Sequence, residues 1–309
     1  MWFKNAIFYT LSDTFELEEA TLNQKLQEQA FSPCSASNPE TAGFSSPLEV
    51  DPEQMVHSDG QYWLISLKCE KKLLPASVVN QQLAAKCQEI EDQTGHKPSK
   101  TQKLEIKEEL EHTLRAQAFA TASYIQAYFD WEHRLLVVNT ASATKADFFT
   151  ASLRQAIGSL PIETVEAPAI ANRFTTWLAN NDYPDIFVIG EECTFLDPSC
   201  DASIRCQKEN IIGEDITALI GENRQCIQMS FSYLEQMSFV LSQELYIKKI
   251  KYLTMLQDQA KDIYCESVAE KKAANFHIMS RSISELIQAL IDTFCGTEAE
   301  ETTPAQEAV

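Results

Sequence analysis

The stretch QCIQMSFSYLEQMSFVLSQELYIKKIKYL, residues 225–253, decides the fold class. It divides into three runs that read as strands, QCIQMSFSYL (225–234), MSFVLS (237–242) and LYIKKIKYL (245–253), parted only by short polar turns. Strands joined so tightly pair as an antiparallel meander, because a parallel pairing needs a crossover of a dozen or more residues. Upstream, DIFVIG (185–190) and SIRCQK (203–208) read as further strands, TTWLANN carries a short helix, and EDITALIGE (214–222) carries another. Downstream, 255–295 is helical, and HIMSRSISELIQALIDTF (277–294) repeats Ile and Leu at the steps of an amphipathic helix.

The first half mixes the same elements. WFKNAIFYTL (2–11) reads as a strand and ELEEATLNQKLQEQA (16–30) as a helix; SPCSASNPETAGFSSPLEVDPE (32–53), with four prolines, reads as a long loop. QYWLISL (61–67) is a buried strand by pattern. PASVVNQQLAAKCQEIE (75–91) opens with Pro at a first helical turn and places Val79, Leu83, Cys87 and Ile90 on one face. Ser99 and Gln102 have capping-box spacing, and Ile106, Leu110 and Leu114 make the stripe of a second helix. These helices, turning near Thr94–Gly95, predict a projecting helical hairpin at about 75–118. SYIQAYFD (123–130) and LLVVNTAS (135–142) predict a β-hairpin, followed by a helix near 144–157 and a short strand after Gly158. The expected class is α+β: two mixed halves with antiparallel sheets, 1–165 and 166–295, then an acidic disordered tail, 296–309.

Composition bounds the function. The 309 residues are 44% apolar and 23% charged, as in an ordinary globular protein. The opening apolar run is too short for a secretory leader and no segment suits a membrane span, so a cytosolic protein is expected. Nine cysteines without a CxxC read as reduced thiols. Cys193, Cys200 and Cys206 are spaced by seven and six residues, which matches no common zinc module. GxSxG, HExxH, Walker-type and dinucleotide fingerprints are absent, and the five histidines are scattered. Asp130 and Glu132 flank Trp131 in a turn, where turn chemistry accounts for them. No enzyme, cofactor or metal site is expected.

The basic residues are the better lead. Against 45 Asp and Glu the chain has 25 Lys and Arg, a net charge of -20, yet Gln93–Leu104 carries Lys97, Lys100 and Lys103 without one carboxylate. In helical projection Lys100, Lys103 and Lys107 share a sector of about 60°. The plain reading is a solvated face with pairs such as Lys107–Glu111; the functional one is a cationic helix end aimed at phosphates. In IKKIKY (247–252), strand alternation puts Lys249 and Lys251 with Ile247, and Lys248 with Ile250 and Tyr252. Edge protection and an anion-facing sheet both fit that pattern. Arg205 and Lys208, with Gln207, form a third group.

WFKNAIFYTLS at the start, AFSPC (30–34), KKLLP (71–75), RAQAF (115–119), ASATKA (141–146), LRQAIGSLP (153–161), IKKIKY (247–252) and ELIQALI (285–291) resemble, in order and spacing, the RdgC family of recombination-associated proteins. The resemblance implies a non-enzymatic DNA-binding protein on the bacterial nucleoid. It also implies a head-to-head, tail-to-tail homodimeric ring with a basic hole. Such rings bind double- and single-stranded DNA with little sequence preference and limit access of the RecA recombinase. On this resemblance Lys97, Lys100, Lys103 and Lys107 fall on the family's basic finger, Phe119 at a subunit contact, and Arg205, Gln207 and Lys208 near the ring interface or the DNA. His96, Pro98, Ser99 and the neutral Gln207 depart from a more lysine-rich family pattern. The rival expectations are an acidic DNA mimic that contacts the recombinase directly and a divalent-metal nuclease using dispersed carboxylates.

Overall fold

The protein is described by a computed structural model covering residues 2–35, 37–167, 169–207 and 213–296. It is a mixed α+β fold of two antiparallel sheets with eight helices among the described residues. The first sheet has seven strands: β1 (Ile7–Leu11), β2 (Glu40–Ser45), β3 (Val56–Asp59), β4 (Tyr62–Lys72), β5 (Ala120–Asp130), β6 (Leu135–Val138) and β7 (Ile162–Thr164). Their order is β2-β4-β5-β6-β1-β7, with β3 pairing on β4 beside β2. The second sheet, ordered β12-β11-β10-β8-β9, comprises β8 (Phe187–Leu196), β9 (Ser203–Gln207), β10 (Gln225–Tyr233), β11 (Met237–Ser242) and β12 (Ile247–Tyr252). The meander expected from 225–253 is therefore β10-β11-β12.

The first sheet is buried on both faces, which explains why β6 reads LLVV with no polar alternation. Ile7, Tyr9, Leu136 and Val138 pack on one side beneath α1 (Glu19–Glu28) and α4 (Ala143–Ile157). Phe8, Leu64, Tyr128 and Val137 face the other way and share a core with the second sheet and α8 (Val268–Cys295). Helix α8, about 42 Å long at 1.5 Å per residue, buries Ile283, Leu286, Ile287, Leu290 and Phe294 there. Its Ser284 hydroxyl lies 3.1 Å from the Tyr128 phenol, so this fully buried polar ring meets a buried partner. The sheets also join edge to edge, since Ala6 and Ile247 exchange backbone hydrogen bonds of 2.8 and 3.0 Å.

The Pro-rich segment 32–53 is not one long loop. Glu40–Ser45 pairs with Ser66–Lys71, and Phe44 enters the core. Gly43 permits this: a Cβ there would lie 2.4 Å from the Phe31 Cα. Nor does the sequence reading place a strand at Val56–Asp59, which is too short to show a period. The remaining helices are α2 (Ala76–Thr94), α3 (Lys100–Gln117), α5 (Ile170–Asn180), α6 (Glu214–Gly221) and α7 (Thr254–Asp262).

The basic strand departs from simple alternation as well. Val240 faces Lys248 and Ser238 faces Lys251, so Lys249 and Ile250 together oppose Phe239 alone. This is a β-bulge, with Lys249 in the left-handed region at φ 54°. The extra residue resets the faces. Ile247, Ile250 and Tyr252 all enter the core, while Lys249 and Lys251 are both exposed.

Candidate nucleic-acid interface

The hairpin forms for local reasons. Gly95 closes α2 at φ 74°, a left-handed end that glycine adopts without a Cβ clash. Two residues, His96 and Lys97, separate the buried Pro98 from that turn, and Ser99 then caps α3. Its hydroxyl accepts from the Gln102 amide at 3.3 Å while the Gln102 side chain accepts from the Ser99 amide at 2.9 Å, completing the capping box. Helices α2 and α3 contact each other, and the apolar stripes of both are half-buried at Leu83, Cys87 and Ile90 on one and Ile106, Leu110 and Leu114 on the other. No residue of α3 is fully buried, so the stripe serves the hairpin and not the main core.

Lys100 and Lys103 sit in the first turn of α3, which holds no acidic residue. Cations at a helix N-terminus oppose the helix dipole, so local stability does not explain them. Both are exposed, and neither has an ion-pair partner among the described residues. Lys97 lies 4.0 Å from Glu91 and Lys107 3.8 Å from Glu111, loose contacts of the kind that contribute little. Glu111 is held more closely by Arg115 at 2.8 Å. At the hairpin's base, Phe119 is 87% exposed and its carbonyl accepts from the Leu73 amide at 2.8 Å, with Leu73 itself 53% exposed. Within the chain, then, Phe119 is not core.

A second basic group gathers on the outer face of the second sheet. Arg205 comes from the edge strand β9 and Lys249 from β12, and both meet Glu192 of β8. Lys249 Nζ lies 2.6 and 2.9 Å from the two carboxylate oxygens, and Arg205 Nε lies 3.1 Å from Oε1. On a flat sheet β12 and β8 would stand about 14 Å apart, three strand spacings, beyond a lysine's reach of about 6 Å. The face is therefore concave, curled by the bulge at Lys249 and by register shifts where β8 meets β10. It encloses about 630 Å³ over a floor that includes Ser230, Ser232 and Ser238. Gly190 is required beside it, since a Cβ would approach the Ser230 hydroxyl to 2.5 Å. That hydroxyl accepts from the Glu192 amide at 2.8 Å and fixes the carboxylate's strand.

Burial alone would raise the Glu192 carboxyl's pKa. Hydrogen bonds and charge from Lys249 and Arg205 outweigh it and hold the group below its ordinary value. Gln207, with its amide oxygen turned to the guanidinium, accepts from Arg205 Nε at 3.2 Å and Nη2 at 2.9 Å. Lys251 lines the same concavity without an ion-pair partner among the described residues. Lys208 lies outside the described residues, as does the tail beyond residue 296.

The structure thus brings Arg205, Gln207, Lys249 and Lys251 together, and keeps Lys97, Lys100, Lys103 and Lys107 as a separate group on the hairpin. Sequence reasoning missed Glu192; the alternation of Ser230 and Ser232 in β10 is the one signal in the chain of a polar face beside it. It also missed that Cys206 stands directly across from Cys193, with Cys226 nearby on the third strand. All nine cysteines are free. Burial, then the neighbouring thiols, pushes the Cys193 thiol up, and burial takes Cys226 to about 12. Among the described residues no helix is long and apolar enough to cross a membrane, and no group of three or more His, Cys, Asp or Glu is placed to hold a metal ion.

Fold and site together define an α+β protein on two antiparallel sheets that presents clustered cations to solvent on a helical hairpin and on a concave sheet face. A family model described as "Putative exonuclease, RdgC" matches residues 1–297. Similar proteins, each named recombination-associated protein RdgC, come from Pseudoalteromonas atlantica (32% identical, covering 95% of this chain and 98% of the relative) and Proteus mirabilis (30%, covering 97% and 100%). Another, from Pseudomonas aeruginosa, is 30% identical over 96% of this chain and 98% of its own. The chain belongs to the RdgC family.

Proposed function

We propose that the protein is a non-enzymatic, sequence-independent DNA-binding protein of the nucleoid. In this reading it closes as a homodimeric ring around duplex DNA, also engages single strands, and limits RecA access during recombination. One observation carries the DNA-binding part: Lys100 and Lys103 stand exposed and unpaired, among the described residues, at the start of a helix that has no fully buried residue and makes its main contact with α2. Solvated pairs would explain Lys97 and Lys107 but not these two. Family membership supports the rest, because the relatives are named for recombination. Phe119, 87% exposed, supplies the kind of aromatic anchor that dominates subunit contacts.

The net charge of -20 does not oppose this reading. At physiological salt, carboxylates more than about 8 Å from the phosphates are largely screened, whereas contacting lysines release counterions. Encirclement would add topological retention, so each phosphate contact can be weak and sliding needs no base-specific group.

Changing Lys100, Lys103 and Lys107 together to Glu is expected to abolish binding to a mixed-sequence duplex while leaving the oligomeric state unchanged in sedimentation. Unchanged affinity and salt dependence would remove the hairpin from the interface. Labelled linear DNA incubated with Mg²⁺ or Mn²⁺ is expected to stay intact; progressive shortening would favour the exonuclease of the family description. A binding-defective dimer that still restrained RecA would point to direct contact with the recombinase.

A further inference from the structure

We propose that the concave face of the second sheet is a phosphodiester subsite held closed in the free protein by Glu192, whose carboxylate stands where a backbone phosphate would sit between Arg205 and Lys249. This rests on the DNA-binding reading and extends it to a second surface. The first ground is valence. Lys249 gives both carboxylate oxygens a hydrogen bond and Arg205 gives Oε1 two more, through Nε and Nη2, the arrangement that those same donors would make to two phosphate oxygens. The second is shape, since a bulge and register shifts curl this face around a floor of serine hydroxyls, small donors suited to a sugar–phosphate backbone. The third is surplus charge. Lys251 lines the same concavity and pairs with no carboxylate among the described residues; with Arg205 and Lys249 it stands against Glu191 and Glu192, which leaves the face one positive charge in surplus even while Glu192 is in place.

Glu192 is also well suited to yield. Its amide is fixed to Ser230, but its carboxylate is held only by two side chains that are themselves about half exposed. An arriving phosphate can therefore exchange with it without moving a strand. A purely structural clamp across the sheet would make the opposite demand, that Glu192 remain bound whether or not DNA is present.

Two measurements on the full chain test this. With a fluorescein-labelled mixed-sequence duplex titrated over a salt series, Glu192→Gln is expected to bind about three- to ten-fold tighter, with a log–log salt slope steeper by about one to two, because one or two cations become available to phosphates. Adding Arg205→Gln and Lys249→Gln to that variant is expected to return the slope to the wild-type value or below. The second measurement avoids any folding defect in the variants. In wild-type protein, acetylation of Lys251 by a water-soluble acylating reagent is expected to slow several-fold when the duplex is added. Wild-type affinity and slope in a folded Glu192→Gln protein, or Lys251 acetylated equally with and without DNA, overturns the subsite while leaving the hairpin assignment standing. Wild-type protein that binds no duplex at all overturns both.

Discussion

Lys249 shows how one backbone angle changes the meaning of a motif. Strand alternation assigns its side chain to the face of Ile247, yet its left-handed φ inserts an extra residue, and Ile247 and Ile250 end on the same side. The sequence IKKIKY names the cations correctly but not the face, because a bulge leaves no periodic trace in six residues. His57 is a second residue whose surroundings were invisible in the chain. It packs against the Phe276 ring at 5.8 Å and its buried Nε2 has no partner. Burial lowers its pKa, with Asp59 and Glu19 only partly opposing. Since the folded pKa lies below the unfolded one, the unfolded chain takes up the proton first. Stability is then complete above the ordinary histidine value and falls as pH drops below it, until the folded form also protonates. His57→Leu is expected to flatten the change in melting temperature between about pH 7.5 and about pH 5.5 relative to wild type. Parallel pH profiles for the two proteins would contradict this account of His57.

At the scale of elements, what the sequence made legible were features with local causes. The capping box at Ser99–Gln102, the turn near Thr94–Gly95 and the apolar stripes of α2 and α3 all depend on neighbours within a few turns, and all stand as the pattern predicts. Strand β2 did not show itself, because its stability comes from Ser66–Lys71, a distant partner, and from Gly43 admitting the Phe31 backbone. The Glu192 cluster is hidden for the same reason: its members come from three strands and meet only because the sheet curls. The hairpin's independence of the main core has a measurable consequence. Ser99→Ala removes a helix cap worth about 1 kcal/mol, and Gly95→Ala forces a side chain into a left-handed position at a cost of about 1–2 kcal/mol. Either change is expected to speed amide hydrogen exchange in residues 88–107 while leaving the main melting transition near its wild-type temperature. Loss of protection in β4 and β5 to the same extent would show that hairpin and sheets unfold as one unit.

For the whole molecule, the distribution of charge matters more than its sum. An acidic chain keeps lysines without an ion-pair partner, among the described residues, beside the turn of the α2–α3 hairpin and gathers a second basic group on a concave sheet, with the first sheet, α8 and the second sheet bound into one shared core. That core fixes the basic face of the second sheet against the first sheet, while the hairpin stands outside it, and the exposed Phe119 is available to the second copy that the proposed ring requires. Phe119→Ala is expected to shift the sedimentation of the protein from dimer toward monomer and to weaken duplex binding together with it; a stable dimer would exclude this residue from the contact. Encirclement itself is tested most directly by retention on closed circular against linear DNA of the same sequence as salt is raised. A ring is expected to stay on the circle at salt that strips it from the linear form, because the ends alone offer an exit once phosphate contacts fail. Equal loss from both forms across the series would contradict the ring and leave only surface binding.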